Sequence, residues 1–180
     1  SYELYLQDRK KGDELFEIVH EAAKEFNGAV IAPNTIRTIE GGLLSYQSDF
    51  GREHNPFTIG LDRLVDLDQD IDFIGKEALK KIKSQGISEK LVGVEIDGDP
   101  IQKVPENFWP VFDENHKKIG RLSRCFFSPR LKKNIGLAII DISFVEPGTP
   151  LVIESPKAHL NAQVHELPWF PAEKSTNLDK

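Results

Sequence analysis

The sequence has no methionine, a single cysteine, Cys125, and fewer basic than acidic residues, 23 against 29, for a formal charge of −6 over 180 residues. Each shortage excludes something. One cysteine cannot form an internal disulfide, so the chain carries no disulfide framework, in keeping with a reducing compartment. The acidic balance argues against a nucleic-acid partner, because phosphate binding draws its affinity from clustered Lys and Arg. No apolar run approaches the roughly 20 residues that span a bilayer. The opening Ser1-Tyr2-Glu3-Leu4 has neither the basic nor the apolar region of a signal peptide, which leaves no membrane role and a cytoplasmic setting as the expectation.

Other chemistries lack their signatures. The five histidines, His20, His54, His116, His159 and His165, stand apart from one another and from Cys125, so no metal site is predicted. No strained nucleophile turn surrounds Cys125, and neither common Gly-rich phosphate loop is present. Cys125 reads as a small core residue of a strand, and His20 as a partly exposed helix residue.

What is present divides in two. Leu15, Phe16, Ile18, Val19, Ala22, Ala23 and Phe26 recur at helical spacing from Asp13 to Phe26, which predicts an amphipathic helix ended by Asn27-Gly28. Asn34 or Thr35 can cap a second helix through Ile36, Ile39 and Leu43, weakened or ended early by Gly41-Gly42. Leu64 to Leu67 alternates like an extended segment, and Gly75 to Ile82 is a short helix stopped at Gly86. Beyond Ser88 the helical period gives way to strand-like runs separated by turns: 91–96, 109–112, 119–127, 135–140, 150–154 and 160–167. About six short strands at near-regular spacing predict a small antiparallel barrel or sandwich. The last ten residues, Pro171 to Lys180, have little apolar content and read as a loose tail.

Tyr2-Glu3-Leu4-Tyr5-Leu6 reads as a β-strand without lead-in, which predicts a piece of a longer chain. Alternation would place Tyr2 and Leu4 on one face and Glu3 on the other, next to a partly apolar surface. A carboxylate there can accept paired N–H donors from a flat heterocycle, with a neighbouring Tyr ring as a stacking face. The plainer alternative is an exposed Glu on an outer strand. Arg37 and Glu40, three apart, read as a surface ion pair. Tyr46, Asp49, the Asn55-Pro56-Phe57 turn and Ser128-Pro129-Arg130 read as loop and cap residues.

The order of these segments resembles one family. Tyr2-Glu3-Leu4-Tyr5-Leu6 is similar to the glycine-tyrosine-glutamate-x-tyrosine strand of the glycine cleavage T-protein superfamily. The stretch 36–46, Ile-Arg-Thr-Ile-Glu-Gly-Gly-Leu-Leu-Ser-Tyr, resembles its arginine-x-glutamate helix, and Asn55-Pro56-Phe57-Thr58-Ile59-Gly60-Leu61 its asparagine-proline-x-x-x-glycine-leucine turn. Asp72-Phe73-Ile74-Gly75-Lys76-Glu77-Ala78-Leu79 resembles its phenylalanine-isoleucine-glycine-lysine signature. Ser128-Pro129-Arg130-Leu131 with Ile135-Gly136-Leu137-Ala138 resembles its C-terminal barrel.

The resemblance implies an α+β protein: the remainder of an α/β folate-binding domain over 1–86, an antiparallel β-barrel domain over 87–170, and a tail over 171–180. It implies tetrahydrofolate as cofactor and one-carbon transfer as activity. Leu43-Leu44-Ser45-Tyr46, Asp49-Phe50 and Leu167-Pro168-Trp169-Phe170 are most similar to the dimethylsulfoniopropionate demethylase branch, in which folate accepts a methyl group from a small-molecule donor. The alternatives it leaves are the glycine-cleavage aminomethyltransferase, which acts on a lipoyl-bound aminomethyl group, and a non-catalytic folate-binding or assembly protein. Position by position, Glu3 corresponds to the pterin-binding glutamate, Tyr5 to a substrate-pocket tyrosine with Tyr2 beside it, and Arg37 is the candidate folate-contacting arginine. The catalytic acidic residue belongs to the family's N-terminal half, the implied partner, with no counterpart here. Two positions depart from the pattern. The family arginine stands two residues before the glutamate, where this chain has Thr38, about 100° around a helix from Arg37. Arg124 stands where the family has a small residue.

Overall fold

The computed structural model describes residues 3–32 and 34–170, in two compact units, 1–34 and 35–180. In the first unit, a 3-10 turn at Arg9–Lys11 leads into α1, Gly12–Lys24. Asp8 starts the turn by accepting the Lys10 backbone N–H at 3.0 Å. Asp13 and Glu14 sit in the first turn of α1, where the helix dipole favours negative charge. No residue of α1 is buried, and Phe16, Ile18 and Val19 of its apolar stripe are exposed. His20 is half-buried and stacks on Phe16 with ring centroids 5.5 Å apart.

Residues 3–6 form no strand, which corrects the expectation for 2–6 as far as the described residues reach; Tyr2 lies outside them. A strand exists only through hydrogen bonds to a neighbour, and no described segment pairs with this one.

The second unit opens with α2, Thr35–Glu40, shorter than the sequence predicts. Gly41-Gly42 stops it, with the Leu43 N–H returning to the Thr38 carbonyl at 2.8 Å. Of the extended segment expected over 64–67, Leu64 ends a 3-10 turn, Asp62–Leu64, closed by the Val65 N–H on the Asp62 carbonyl at 3.0 Å, while Val65 is extended but pairs in no strand. Alternation alone carries no strand without a partner. Then α3, Lys76–Gln85, follows Gly75, whose φ of +96° suits glycine and explains its place in the signature. The signature lysine, Lys76, is buried, and its ammonium donates to the carbonyls of Gln69 and Ile71, so it holds the preceding loop.

Six antiparallel strands then close into a barrel: β1 Glu89–Ile96, β2 Trp109–Phe112, β3 Lys118–Ser128, β4 Lys133–Asp141, β5 Pro150–Glu154 and β6 His159–His165. Their order around the ring is β1-β4-β3-β2-β5-β6, with β6 pairing back to β1. Val92, Val94, Val111, Leu122, Cys125, Ile140, Leu151 and Ile153 fill the interior. A second cluster lies on the outer surface of β1, β4 and β3, where Leu91, Ile135, Leu137 and Ile139 meet Ile39 of α2 and Trp169 near the C-terminus. Strand β4 is therefore buried on both faces from Asn134 to Ile140, the reason its sequence is an unbroken apolar run from Ile135 to Ile140.

Gly120 of β3 pairs with Ile140 of β4, and a Cβ there would stand 2.2 Å from the Ile139 carbonyl oxygen. Since backbone cannot step aside cheaply, Gly120→Ala is expected to cost about 1–3 kcal/mol, read as a lower midpoint in denaturant.

Candidate functional site

A β-bulge shapes the region that joins α2 to the barrel. The β3–β4 register shifts between Leu122 and Arg124, so that Leu122 pairs with Ala138 and Arg124 with Leu137. A bulge re-aims side chains: Leu122 and Cys125 remain in the barrel interior, while the consecutive Ser123 and Arg124 both reach Asp49 outside it. The Arg124 Nε donates to Asp49 Oδ1 at 2.8 Å and its Nη2 to Oδ2 at 2.6 Å, a two-point fork. Asp49 also accepts the Ser123 hydroxyl at 2.9 Å and the Ser45 backbone N–H at 2.7 Å. The rest of the guanidinium faces α2 and its exit, with Nη1 donating to Thr38 Oγ1 at 3.1 Å and Nη2 to the Leu43 carbonyl at 3.0 Å. Asp49 is fully buried and Arg124 nearly so, so this pair has left water and is held by geometry rather than surface charge.

A second link runs beside it. Glu40 is buried, and its Oε1 accepts the Ser128 hydroxyl at 2.6 Å while its carbonyl accepts the Trp169 N–H at 2.9 Å. The surface role expected of Glu40 is thereby corrected: the helix end that carries it lies against the barrel. Ser128 in turn accepts the Leu131 N–H at 3.1 Å, so the Ser128-Pro129-Arg130 turn also receives α2. Arg37, on the same helix, is exposed.

The other predicted site residues lie in the first unit. Glu3 and Tyr5 are both exposed, and the Tyr5 hydroxyl donates to the Glu3 carboxylate, which raises the pKa of the phenol. Tyr2 is outside the described residues.

Farther around the barrel, a groove of about 330 Å³ is lined by Glu53, His54, Glu89, Lys118 and Arg121 over Ile139. The His54 Nδ1 accepts the Gly51 N–H at 3.0 Å, which leaves Nε2 to face Glu89 at 3.6 Å. A backbone hydrogen bond, then His54 and Arg121, hold the Glu53 carboxyl below its usual pKa. The lining thus brings together two carboxylates, two cations and one imidazole.

Burial pushes the Cys125 thiol up to about 12, so it stays protonated at neutral pH and is not a nucleophile. His116 and His159 meet edge to face, with centroids 6.4 Å apart. Among the described residues no group of three or more His, Cys, Asp or Glu could hold a metal, and no helix is long and apolar enough to cross a membrane. The buried carboxylates of Glu40 and Asp49 are committed to internal donors, so they fix α2 and the loop after it to the barrel. Sequence reasoning missed the Asp49–Arg124 pair, although Arg124, one of two arginines in the strand-like run 119–127 and the one that departs from the family pattern, was its signal.

A six-stranded closed barrel with a helix and a C-terminal segment on one outer face defines the class, and residues 89–171 match the glycine cleavage T-protein C-terminal barrel domain. The chain is 36% identical to the aminomethyltransferase of Geobacillus sp. (strain WCH70) over 96% of its own length and 47% of that protein. It is 28% identical to dimethylsulfoniopropionate demethylase DmdA of Ruegeria pomeroyi over 93% of its length and 45% of that protein. The crystal structure of glycine cleavage system aminomethyltransferase T from Bartonella henselae shares the fold, with a TM-score of 0.65 and 20% identity over 73% of this chain and 36% of that one. Residues 89–171 thus belong to the glycine cleavage T-protein C-terminal barrel family, and the chain along nearly all its length is similar to members of the glycine cleavage T-protein superfamily. It spans about half the length of the curated relatives it matches.

Proposed function

We propose that this chain is the C-terminal part of a tetrahydrofolate-dependent one-carbon transferase, and that transfer needs the N-terminal half of the fold as partner. The observation that carries this reading is the 36% identity to an aminomethyltransferase, sustained over 96% of the chain. Because aminomethyltransferases match at 32–37% and the demethylase at 28%, the demethylase reading is not favoured, and aminomethyl transfer from a lipoyl-bearing carrier takes first place. Methyl transfer from a small-molecule donor is retained as the second reading on the wording of residues 43–46 and 167–170. Folate chemistry of this kind asks the protein mainly to hold an acceptor nitrogen in line with an activated carbon. A helix fixed to a rigid barrel by two buried polar links suits that task, with Arg37 on it as the folate-side cation. The exposed apolar stripe of α1 agrees with a first unit that has further partners to cover it.

Activity of the full protein containing this chain separates the readings. Tetrahydrofolate-dependent release from an aminomethylated lipoyl carrier supports the first; demethylation of dimethylsulfoniopropionate without the carrier supports the second. Folate binding with neither transfer returns the chain to a binding or assembly role. Glu3, proposed to accept the pterin N–H donors, gives a residue-level test: Glu3→Ala is expected to weaken folate affinity at least tenfold, about 1.4 kcal/mol, in a titration followed by fluorescence. Unchanged affinity would leave Glu3 a surface residue, with Tyr5 and Tyr2 losing their proposed place beside the substrate.

A further inference from the structure

Helix α2 has only six residues, Thr35–Glu40, well below the roughly 12–15 at which a helix begins to hold by itself in water. Its persistence therefore depends on what packs against it. Three of its last four carbonyls are accepted from nearby: Arg37 by the Gly41 N–H at 2.9 Å, Thr38 by Leu43 at 2.8 Å and Ile39 by Gly42 at 3.0 Å. The fourth, of Glu40, takes the N–H of Trp169 at 2.9 Å, from the far end of the described chain. We propose that residues 166–170 are a strap that seats α2 on the barrel, with Trp169 as the positioning residue for the helix.

The segment belongs to no strand, so no ladder holds it. It is fastened to the barrel at both ends instead. At its start, His165 of β6 stacks on the Trp169 ring at 3.8 Å between centroids, and Leu167 lies over β1, where a Cβ on Gly93 would stand 3.1 Å from Leu167 Cδ2. At its end the Arg130 guanidinium, from the turn after β3, covers the Phe170 ring at 3.6 Å. Between these anchors the segment crosses the exit of α2. A Cβ on Gly42 would meet Leu167 Cβ at 3.6 Å and Pro168 Cα at 3.8 Å, ordinary contact distances, and the Trp169 ring packs with Ile39 in the outer cluster. That cluster shares no residue with the one that fills the barrel, so the strap can lift without emptying the interior. With it, α2 loses the partner of its last carbonyl and one wall around Ile39 together. The presentation of Arg37 then depends on the strap, and that consequence alone rests on the folate reading.

The test is native-state amide hydrogen exchange in the full chain. The amides of Trp169, Gly41, Gly42 and Leu43 are expected to exchange through one shared opening, about tenfold or more faster than those of residues 135–140 in β4. Phe170→Ala, which takes the ring from under Arg130, should speed all four by a common factor of about five or more. Arg130→Ala removes the same contact from the barrel side and should give the same result, whereas Phe170→Tyr keeps the ring and should retain the slow exchange. Ile153→Val, inside the barrel, should speed β4 and leave the four amides unchanged, because their opening does not expose the interior. Faster exchange at Trp169 with 41–43 unmoved overturns the proposal. So does no change at any of the four in either Ala variant, or an Ile153→Val effect that reaches them and β4 alike. Exchange uses no folate, so failure of the strap and failure of the one-carbon reading are separate results.

Discussion

Asp49→Ala should lower stability by about 3–5 kcal/mol, because it strands the Arg124 guanidinium in a site that water has left. Asp49 is fully buried and accepts from Arg124, Ser123 and Ser45 together. Removing the acceptor therefore leaves several donors without partners at once, and the cationic one is the costliest. For a chain of this size the loss corresponds to a fall in Tm on the order of 10 °C. Thermal unfolding of the purified variant checks it, and a fall of a degree or two would mean the pair is solvated. Replacing both partners by apolar residues should cost much less than removing one, since no charge is then left buried alone.

Trp169 gives the second large effect, and a contrast that identifies its origin. The ring is 8% exposed, stacks on His165 at 3.8 Å between centroids, and belongs to the outer cluster with Ile39 and Leu91. Trp169→Ala should cost about 3–5 kcal/mol, as for other large buried aromatics. Its indole Nε1, however, is buried without a hydrogen-bond partner among the described residues. An unpaired buried donor itself costs about 1–3 kcal/mol. Trp169→Phe keeps most of the ring and removes that donor, so it should be nearly neutral or slightly stabilising in chemical denaturation. If Phe proved as damaging as Ala, the indole N–H would have to be satisfied after all.

The barrel was legible because each of its strands is a local pattern with turn residues at both ends. Residues 109–112 and 150–154 were read to their observed limits, and the other four strands to within two residues or so at either end. What escaped was long-range. Asp49 looks like any loop aspartate until β3 brings Arg124 to it from 75 residues away. Glu40 looks solvated until Ser128 and Trp169 close over it. The bulge at Leu122/Arg124 leaves no mark in composition, since Ser123 is unremarkable in a strand. The strand-like wording of residues 3–6 misled for the converse reason: period-two alternation is necessary for a half-buried strand, but a ladder partner decides whether one forms. Within the candidate site, Arg37 and Glu40 were found as neighbours and their opposite fates were not, because burial is a property of what packs on a helix.

The closure of the ring through β6 and β1 has a bearing on how this part of the molecule can associate. Among the described residues each of the six strands has a neighbour on both sides along at least part of its length, so no strand lies at a sheet edge throughout for another chain to extend. On the proposed reading, contact of the barrel with the remainder of a transferase, or with a carrier protein, would be made mainly by side chains and connecting loops. Recognition on this surface is accordingly open to tuning one residue at a time, without disturbing the hydrogen-bonded frame beneath.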